Sequence, residues 1–516
     1  MSAPQPHYAA PERRTPCRLL LLSFHFPPDP AVGALRWQKL ATHLAELGCA
    51  VDVIALHPDE LASQDRRQLE ALPPGTRVFG VRRVRAIAER VEHALWQATR
   101  TLRRLAVRRP LRGGGGGDPS LDHSTAITNR SGDSRIPSAP PATPRVSSLS
   151  RAEARASRRD RRAAARALQA WVAFARDGAW ARAAAALALR LVRSGARYDA
   201  IVTCGPPHMV HEGGRRVARR TGLPLVVDLR DPWSLVERLP EYLASPLCWS
   251  LAARHERRVF RAASLIVANT DAAAAALRER YPALAARVIT ITNGYDDDEP
   301  IPAARAERQF RLVYAGSIYI DRDPRLVFRA LERVIRALSL TPPDIGFELV
   351  GNVDRYGGVP VQRIAEEEGI APFVRTGAPR PRHEVMELMA GGTMLVSLKQ
   401  DSVTAIPSKV FEYMRFPAWL LILAARGSAT EMLLRGSDAD VVDPDDVDAI
   451  ASAIAHRVRQ FRDGIRPEPI ARDVRFSRRS QAERLWQAIR HYCGVTEAHS
   501  TTPDVPPRAS AHATSR

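Results

Sequence analysis

Short apolar runs, each followed by a turn and then a helical stretch, recur along most of this chain. That alternation constrains its fold more than any other feature. Residues 18–23 form a continuous apolar run that reads as a buried parallel strand. A proline-rich loop at 24–33, a helix at 34–47 and a second strand at 51–56 complete a βαβ unit. The rhythm returns with strands at 199–204, 223–229, 265–268 and 288–291 and helices at 210–221, 247–262 and 271–281. Asn293-Gly294-Tyr295 and the run Asp296, Asp297 and Asp298 then read as a solvated linker. A second series follows, with strands at 311–314, 347–350, 374–376, 394–397, 420–424 and 439–442 and helices at 323–337, 447–459 and 480–492. The expected fold class is α/β, with two Rossmann-like, doubly wound parallel sheets facing a cleft; ligands of such sheets sit at the strand C-termini.

The chain has 516 residues, more than a single core sustains, which agrees with two domains. The expected division is a disordered N-terminus at 1–15, a first domain at 16–300, a second at 305–470, a C-terminal helix at 476–493 that packs back on the first domain, and a disordered tail at 494–516. Residues 113–150 open with five consecutive glycines and continue through Ser, Pro and Thr, a composition that builds no core and reads as a disordered insertion. The five cysteines are scattered without metal-ligand spacing, which predicts reduced thiols and an intracellular protein. No signal-peptide pattern opens the chain, and its apolar runs are too short to span a bilayer.

The net charge of +20 is concentrated in one place. Residues 82–197 carry 25 arginines against eight acids. The flanking stretches 86–109 and 151–194 mix arginine with Trp96, Leu102, Trp171, Phe174, Trp180, Leu187 and Leu191. Such helices can lie on an anionic membrane surface, or pack on their own domain with the arginines solvated. Only Lys39, Lys399 and Lys409 are lysines.

One of those lysines falls in the segment Ile406-Pro-Ser-Lys-Val-Phe-Glu-Tyr-Met414. Lys409 and Glu412 stand three apart, on one helix face, behind Pro407 and Ser408, which could open the helix. A cation and free N–H groups would suit a phosphate, and a carboxylate one turn on would accept hydrogen bonds from ribose hydroxyls. An ordinary surface Lys/Glu pair is the alternative. The Asp321-Arg322-Asp323 cluster is open to a metal-binding reading, but Asp323 before Pro324 suits a helix cap better.

In this order, several landmarks resemble the retaining GT-B glycosyltransferases of family four, of the kind that build bacterial surface polysaccharides. They are Phe26-Pro27-Pro28 through Gly33 and Arg36; Gly205-Pro206-Pro207; Asp228-Leu229-Arg230-Asp231-Pro232-Trp233; Asn293-Gly294; Tyr314-Ala315-Gly316-Ser317 through Arg322-Asp323-Pro324; Leu349-Val350-Gly351; and Pro407-Ser408-Lys409 through Glu412-Tyr413. The resemblance covers roughly residues 16–492. It implies that Glu412 holds the donor ribose, that Arg322 and Lys409 face the donor diphosphate as catalytic cations, and that His208 stands near the reacting sugar. Donor-binding positions would also include Gly33, Arg36, Gly316, Ser317, Gly351 and Ser408, with Arg230 and Asp231 on the acceptor side.

Departures from the family pattern are Thr404 eight positions before Glu412, Ser317 after Gly316, and Cys204 where relatives often place a histidine. The resemblance further implies a UDP- or GDP-linked donor, a glycan or polyprenyl-diphosphate-linked acceptor, a contact with an anionic membrane surface, no metal or other cofactor, and no nucleic-acid partner. Two other classes are weighed against it: an arginine-rich nucleic-acid binder, and a nucleotide-sugar-binding relative that no longer catalyses.

Overall fold

The computed structural model describes residues 4–11, 17–92, 97, 148–156, 161–303, 308–319, 322–399, 402–471 and 474–495. In the N-terminal lobe, strands β1 (Tyr8–Ala9), β2 (Cys17–Ser23), β3 (Cys49–Leu56), β4 (Arg77–Val81), β5 (Ala200–Gly205), β6 (Leu225–Leu229), β7 (Leu265–Ala268) and β8 (Val288–Thr290) form one sheet. Their order is β1-β4-β3-β2-β5-β6-β7-β8. All neighbours pair in parallel except β1, which runs antiparallel to β4.

The run of leucines in β2 explains the layering. Leu20 and Leu22 face one side, where Trp180, Ala184 and Ala188 of α2 (Arg161–Arg193) and Val210 and Val217 of α3 (Val210–Thr221) cover them, together with α4 (Pro246–Ala262). Leu19 and Leu21 face the other side, against Trp37 and Leu40 of α1 (Val32–Glu46) and Leu485, Trp486 and Ile489 of the last helix, Arg478–Cys493. Alternate residues of one strand thus enter two cores, as a sheet covered on both faces requires.

The C-terminal lobe repeats the plan with β9 (Phe310–Ser317), β10 (Ile345–Asn352), β11 (Val374–Gly377), β12 (Met394–Ser397), β13 (Trp419–Leu423) and β14 (Asp440–Val442), all parallel in the order β11-β10-β9-β12-β13-β14. Helices α6 (Arg325–Leu338) and α10 (Val447–Arg462) cover one face, and α8 (Arg382–Ala390) and α9 (Ser408–Tyr413) the other. Helices α5 (Asp271–Arg280) and α7 (Val361–Glu367) fill connections. The final helix is α11 (Arg478–Cys493).

Leaving aside β1, the parallel strands of each lobe begin 3-2-1-4-5-6, the Rossmann order. The order reverses between β2 and β5 in one lobe and between β9 and β12 in the other. Those switch points are where ligands of open α/β sheets bind. The lobes meet at these strand ends: the Thr270 hydroxyl, just beyond β7, donates to the Thr404 carbonyl, beyond β12, at 2.5 Å.

Four expectations change. Strand β4 is absent from the sequence reading, because Arg77-Val-Phe-Gly-Val has neither a long apolar run nor clean alternation. The N-terminus is not wholly disordered, since Tyr8 and Ala9 extend the sheet at β4. The insertion reading falls outside the described residues up to 147, while Ser148–Ser150 pairs with Arg238–Pro240. Asp296 is not a solvated linker residue: its carboxylate is buried between Lys39 at 3.0 Å and Arg478 at 2.7 Å.

The arginine-laced helix also resolves. Trp180, Leu187 and Leu191 are buried in the N-terminal core, so this face of α2 packs on its own domain. Trp171 remains 41% exposed. Trp96 and Leu102 lie outside the described residues.

Candidate active site

In the C-terminal lobe, β9 ends at the Gly316–Ser317 turn, and β12 leads to α9 through the loop at 402–407. Two cations converge there. Lys409, from the first turn of α9, lies with Nζ 3.9 Å from the centre of the Tyr314 ring. Arg322 stacks over Tyr319 at 4.3 Å and donates from Nη1 to the Ser317 carbonyl at 3.2 Å. Neither makes an ion pair among the described residues. Burial, and then the Arg322 charge, pull the Lys409 ammonium well below its usual range. An anion bound at this turn would offset both effects and favour the charged ammonium.

The glycines make room for these groups. A Cβ at Gly316, where φ is +154°, would lie 2.4 Å from Lys409 Nζ. One at Gly351, on the paired strand, would lie 2.0 Å from the Gly316 carbonyl oxygen. Tyr314 donates its hydroxyl to the Ser317 carbonyl at 2.7 Å, and Asn352 donates to the Ser317 hydroxyl at 3.3 Å. The turn is braced on both sides.

Helix α9 is only six residues long. Its dipole is correspondingly small, so Ser408 at its start adds less than expected, and the side-chain cations dominate. Glu412 lies on the same partly exposed face as Lys409. Its Oε1 accepts from Arg382 at 3.2 Å and has Arg478 at 3.8 Å, while Oε2 accepts no hydrogen bond among the described residues. Arg382 also pairs with Glu299 at 2.6 Å.

Asp323 accepts from the Arg325 amide at 3.0 Å, consistent with its cap reading; Asp321 lies outside the described residues. No group of three or more His, Cys, Asp or Glu among the described residues is placed to hold a metal ion.

The N-terminal lobe contributes a second cluster. Arg230, just after β6, donates from Nη2 to the Pro206 carbonyl at 2.5 Å, and its guanidinium lies against Gly33, where a Cβ would be 1.8 Å from Nη1. The missing side chain of Gly33 thus makes room for the Arg230 guanidinium. Asp231 is exposed beside it. His208, after β5, stacks on Trp233 at 5.3 Å between ring centres. Cys204 is buried in the core, with its thiol pushed up chiefly by burial, so it cannot stand in for a sugar-facing histidine.

Arg36 does not face the cleft. Its guanidinium is buried and donates from Nε and Nη2 to Asp228, each at 3.0 Å, from Nη2 to the Ile291 carbonyl, and from Nη1 to the Thr292 carbonyl and Asn293 Oδ1. All five N–H donors are used. Arg36 ties the start of α1 to β6 and to the segment just after β8, and has no N–H left for a donor phosphate.

Sequence reasoning missed Arg382, whose partners are remote in sequence, and His211. The second had a signal, since it follows His208 by three residues at the start of a helix.

Two Rossmann-ordered lobes with facing strand ends make up the GT-B architecture. The fold recurs in Anabaena HepE, solved with UDP and glucose, at a TM-score of 0.53 and 14% identity over 92% of this chain and 100% of that one. It recurs in the sucrose-phosphate synthase of Thermosynechococcus elongatus at 0.53 and 13%, covering 92% and 98%, and in the lipopolysaccharide outer core galactosyltransferase WaaB at 0.50 and 10%, covering 92% and 99%. By sequence, the chain is 28% identical over 200 residues to the D-inositol 3-phosphate glycosyltransferase of Thermobifida fusca (strain YX), a stretch spanning 36% of this chain and 45% of that relative. Residues 143–299 match the family described as Glycosyltransferase Family 4.

Proposed function

We propose that this protein transfers a sugar, with retention of configuration, from a UDP- or GDP-linked donor to a glycan or lipid-linked saccharide in cell-surface polysaccharide synthesis. The observation that carries the reading is the convergence of Lys409 and Arg322, without acidic partners among the described residues, on the turn at a sheet switch point. Breaking a sugar–diphosphate bond develops negative charge on the leaving group. Fixed cations stabilise that charge without reorganising.

Glu412 is assigned to the donor ribose, through the Oε2 that its salt bridges leave open. Gly316, Ser317 and Gly351 shape the diphosphate pocket, and Ser408 starts the helix that delivers Lys409. His208, Arg230 and Asp231 are assigned to the sugar and acceptor side. Two fixed cations make a resident metal unnecessary for this chemistry. UDP-glucose is the first donor to test, since a solved relative binds UDP and glucose.

An anionic membrane surface is the proposed platform, at the inner face of the cytoplasmic membrane. Its support is a groove between α2 and α3 in which Arg182, Arg190, Arg193, Arg216 and Arg220 surround an alanine and leucine floor. None of the five makes an ion pair among the described residues. No described helix is long and apolar enough to cross a membrane, so attachment by this surface would be peripheral.

The test is a panel of nucleotide sugars with candidate acceptors and mass-spectrometric product analysis. A glycosylated product with the anomeric configuration of the donor is expected, lost in Lys409→Ala and Glu412→Ala. Tight UDP binding without any turnover would favour the non-catalytic reading, and a product made equally well by both variants would remove the site assignment.

A further inference from the structure

The carboxylate assigned to the donor ribose is held through one of its two oxygens. Arg382 is the first residue of α8, and Glu412 lies one turn into α9. Met386 and Met389 of α8 share a core with Val410 and Phe411 of α9, which fixes where both side chains begin. Arg382 donates from Nη1 to Glu412 Oε1 at 3.2 Å, while Oε2 accepts no hydrogen bond among the described residues.

Arg382 is itself clamped. Its Nε donates to Oε1 of Glu299 at 2.9 Å and its Nη2 to Oε2 at 2.6 Å, the paired fork that sets the plane of a guanidinium. Glu299 belongs to the connection between the lobes, and its carbonyl accepts from Arg415, three positions after Glu412, at 2.5 Å. The connection, the start of α8 and the end of α9 thus close one ring of contacts that includes Glu412.

An unrestrained glutamate must lose rotamer freedom before it can accept from sugar hydroxyls, and that loss counts against binding. The ring removes much of it beforehand. Arg478 stands 3.8 Å from the same Oε1 and is engaged with Asp296 at 2.7 Å, so the hydrogen bond comes from Arg382. Oε2 keeps its acceptor capacity. The Arg382 side chain is 42% exposed, so trimming it opens no buried hole.

We propose that Arg382 and Glu299 are positioning residues: the fork to Glu299 fixes the Arg382 guanidinium, which holds Glu412 by Oε1 and leaves Oε2 to accept from the ribose hydroxyls. Selectivity for a ribonucleotide then depends on two residues that touch no substrate. The inference rests on the assignment of Glu412 to the donor ribose.

Calorimetric titration of the full-length protein with UDP and with 2′,3′-dideoxy-UDP, which lacks both ribose hydroxyls, separates the ribose contact from the grip on the diphosphate. Wild type is expected to prefer UDP by about tenfold or more, and Glu412→Ala to bind the two nucleotides alike. Arg382→Ala and Glu299→Ala are each expected to cut the preference to about threefold or less, with affinity for the dideoxy compound within about twofold of wild type. Glu299→Ala keeps the Arg382 charge, so a loss there reads placement and not charge alone.

A preference present in wild type, lost in Glu412→Ala and undiminished in Arg382→Ala or Glu299→Ala overturns the proposal and leaves the ribose assignment standing. Tighter UDP binding in Arg382→Ala would show an arginine competing with ribose and also overturns it. Equal weakening of both nucleotides in the two variants would mark a merely structural role, with the same consequence. Wild-type protein that binds both nucleotides alike, or neither, brings down the ribose assignment and the proposal with it.

Discussion

Arg36 and Lys409 look alike in the sequence, each a cation at the start of a helix that follows a strand and a loop, yet the fold uses them oppositely. Arg36 is enclosed by Asp228 and three further acceptors, and its carboxylate partner lies 192 positions away, a pairing no local pattern reveals. Lys409 has an aromatic face and a neighbouring cation instead. Arg36→Leu leaves a charged Asp228 buried and is expected to cost about 3–5 kcal/mol in denaturant unfolding. Lys409→Ala is expected to stay within about 1 kcal/mol of wild type, since no partner is stranded. Equal losses would refute this division.

The depressed Lys409 also sets a pH dependence. A bound diphosphate favours the charged ammonium, so its titration moves upward on binding, and the complex takes up a proton wherever the free lysine is neutral. Measured above about pH 8, where the phosphate is already fully ionised, UDP affinity should fall as pH rises, with proton uptake visible as buffer-dependent binding heat. A flat profile would show that Lys409 does not meet the diphosphate.

At the scale of elements, the apolar runs made most strands and helices legible. β7, β12 and α3 lie where the pattern puts them, because continuous buried strands and Gly- or Thr-bounded helices leave clear local signatures. β4 escaped because a five-residue strand interrupted by Gly80 has little periodicity. Its place comes from pairing with β3.

The Gly316 turn is an element-level device, in which two strands and a helix must approach closely enough to seat an ammonium. Gly316→Ala is expected to displace Lys409 and weaken UDP binding at least tenfold while the fold persists, because the long lysine side chain can move. Gly351→Ala meets a backbone carbonyl that cannot, and should destabilise the protein by more than about 2 kcal/mol. Thermal unfolding beside UDP titration of the two variants checks both; wild-type affinity in Gly316→Ala would break the link between the turn and the anion site.

For the whole molecule, the sequence disclosed two lobes and the strand ends that carry the site, but not how charge ties the lobes together. Lys39 of α1, Asp296 of the connection, Arg478 of α11 and Glu412 of α9 form one chain of contacts. Its members are far apart in sequence, so only folding shows that the glutamate assigned to ribose is linked to the N-terminal lobe. The arginine excess was visible from composition, and folding gathers Arg182, Arg190 and Arg193 with Arg216 and Arg220 around the groove on α2 and α3. Vesicles containing anionic phospholipid are expected to retain the protein at low salt and to lose it when Arg182, Arg190 and Arg193 are changed together to glutamate. Retention by neutral vesicles alike, or unchanged binding of the triple variant, would contradict a role for the groove.

The central claim is that the turn joining Gly316, Arg322 and Lys409 grips a nucleoside diphosphate. Calorimetric titration of UDP into the wild-type protein and into Lys409→Ala at matched ionic strength tests it most directly. The expected result is saturable binding weakened at least tenfold in the variant, a loss of about 1.4 kcal/mol or more; equal affinity in the two proteins would contradict it.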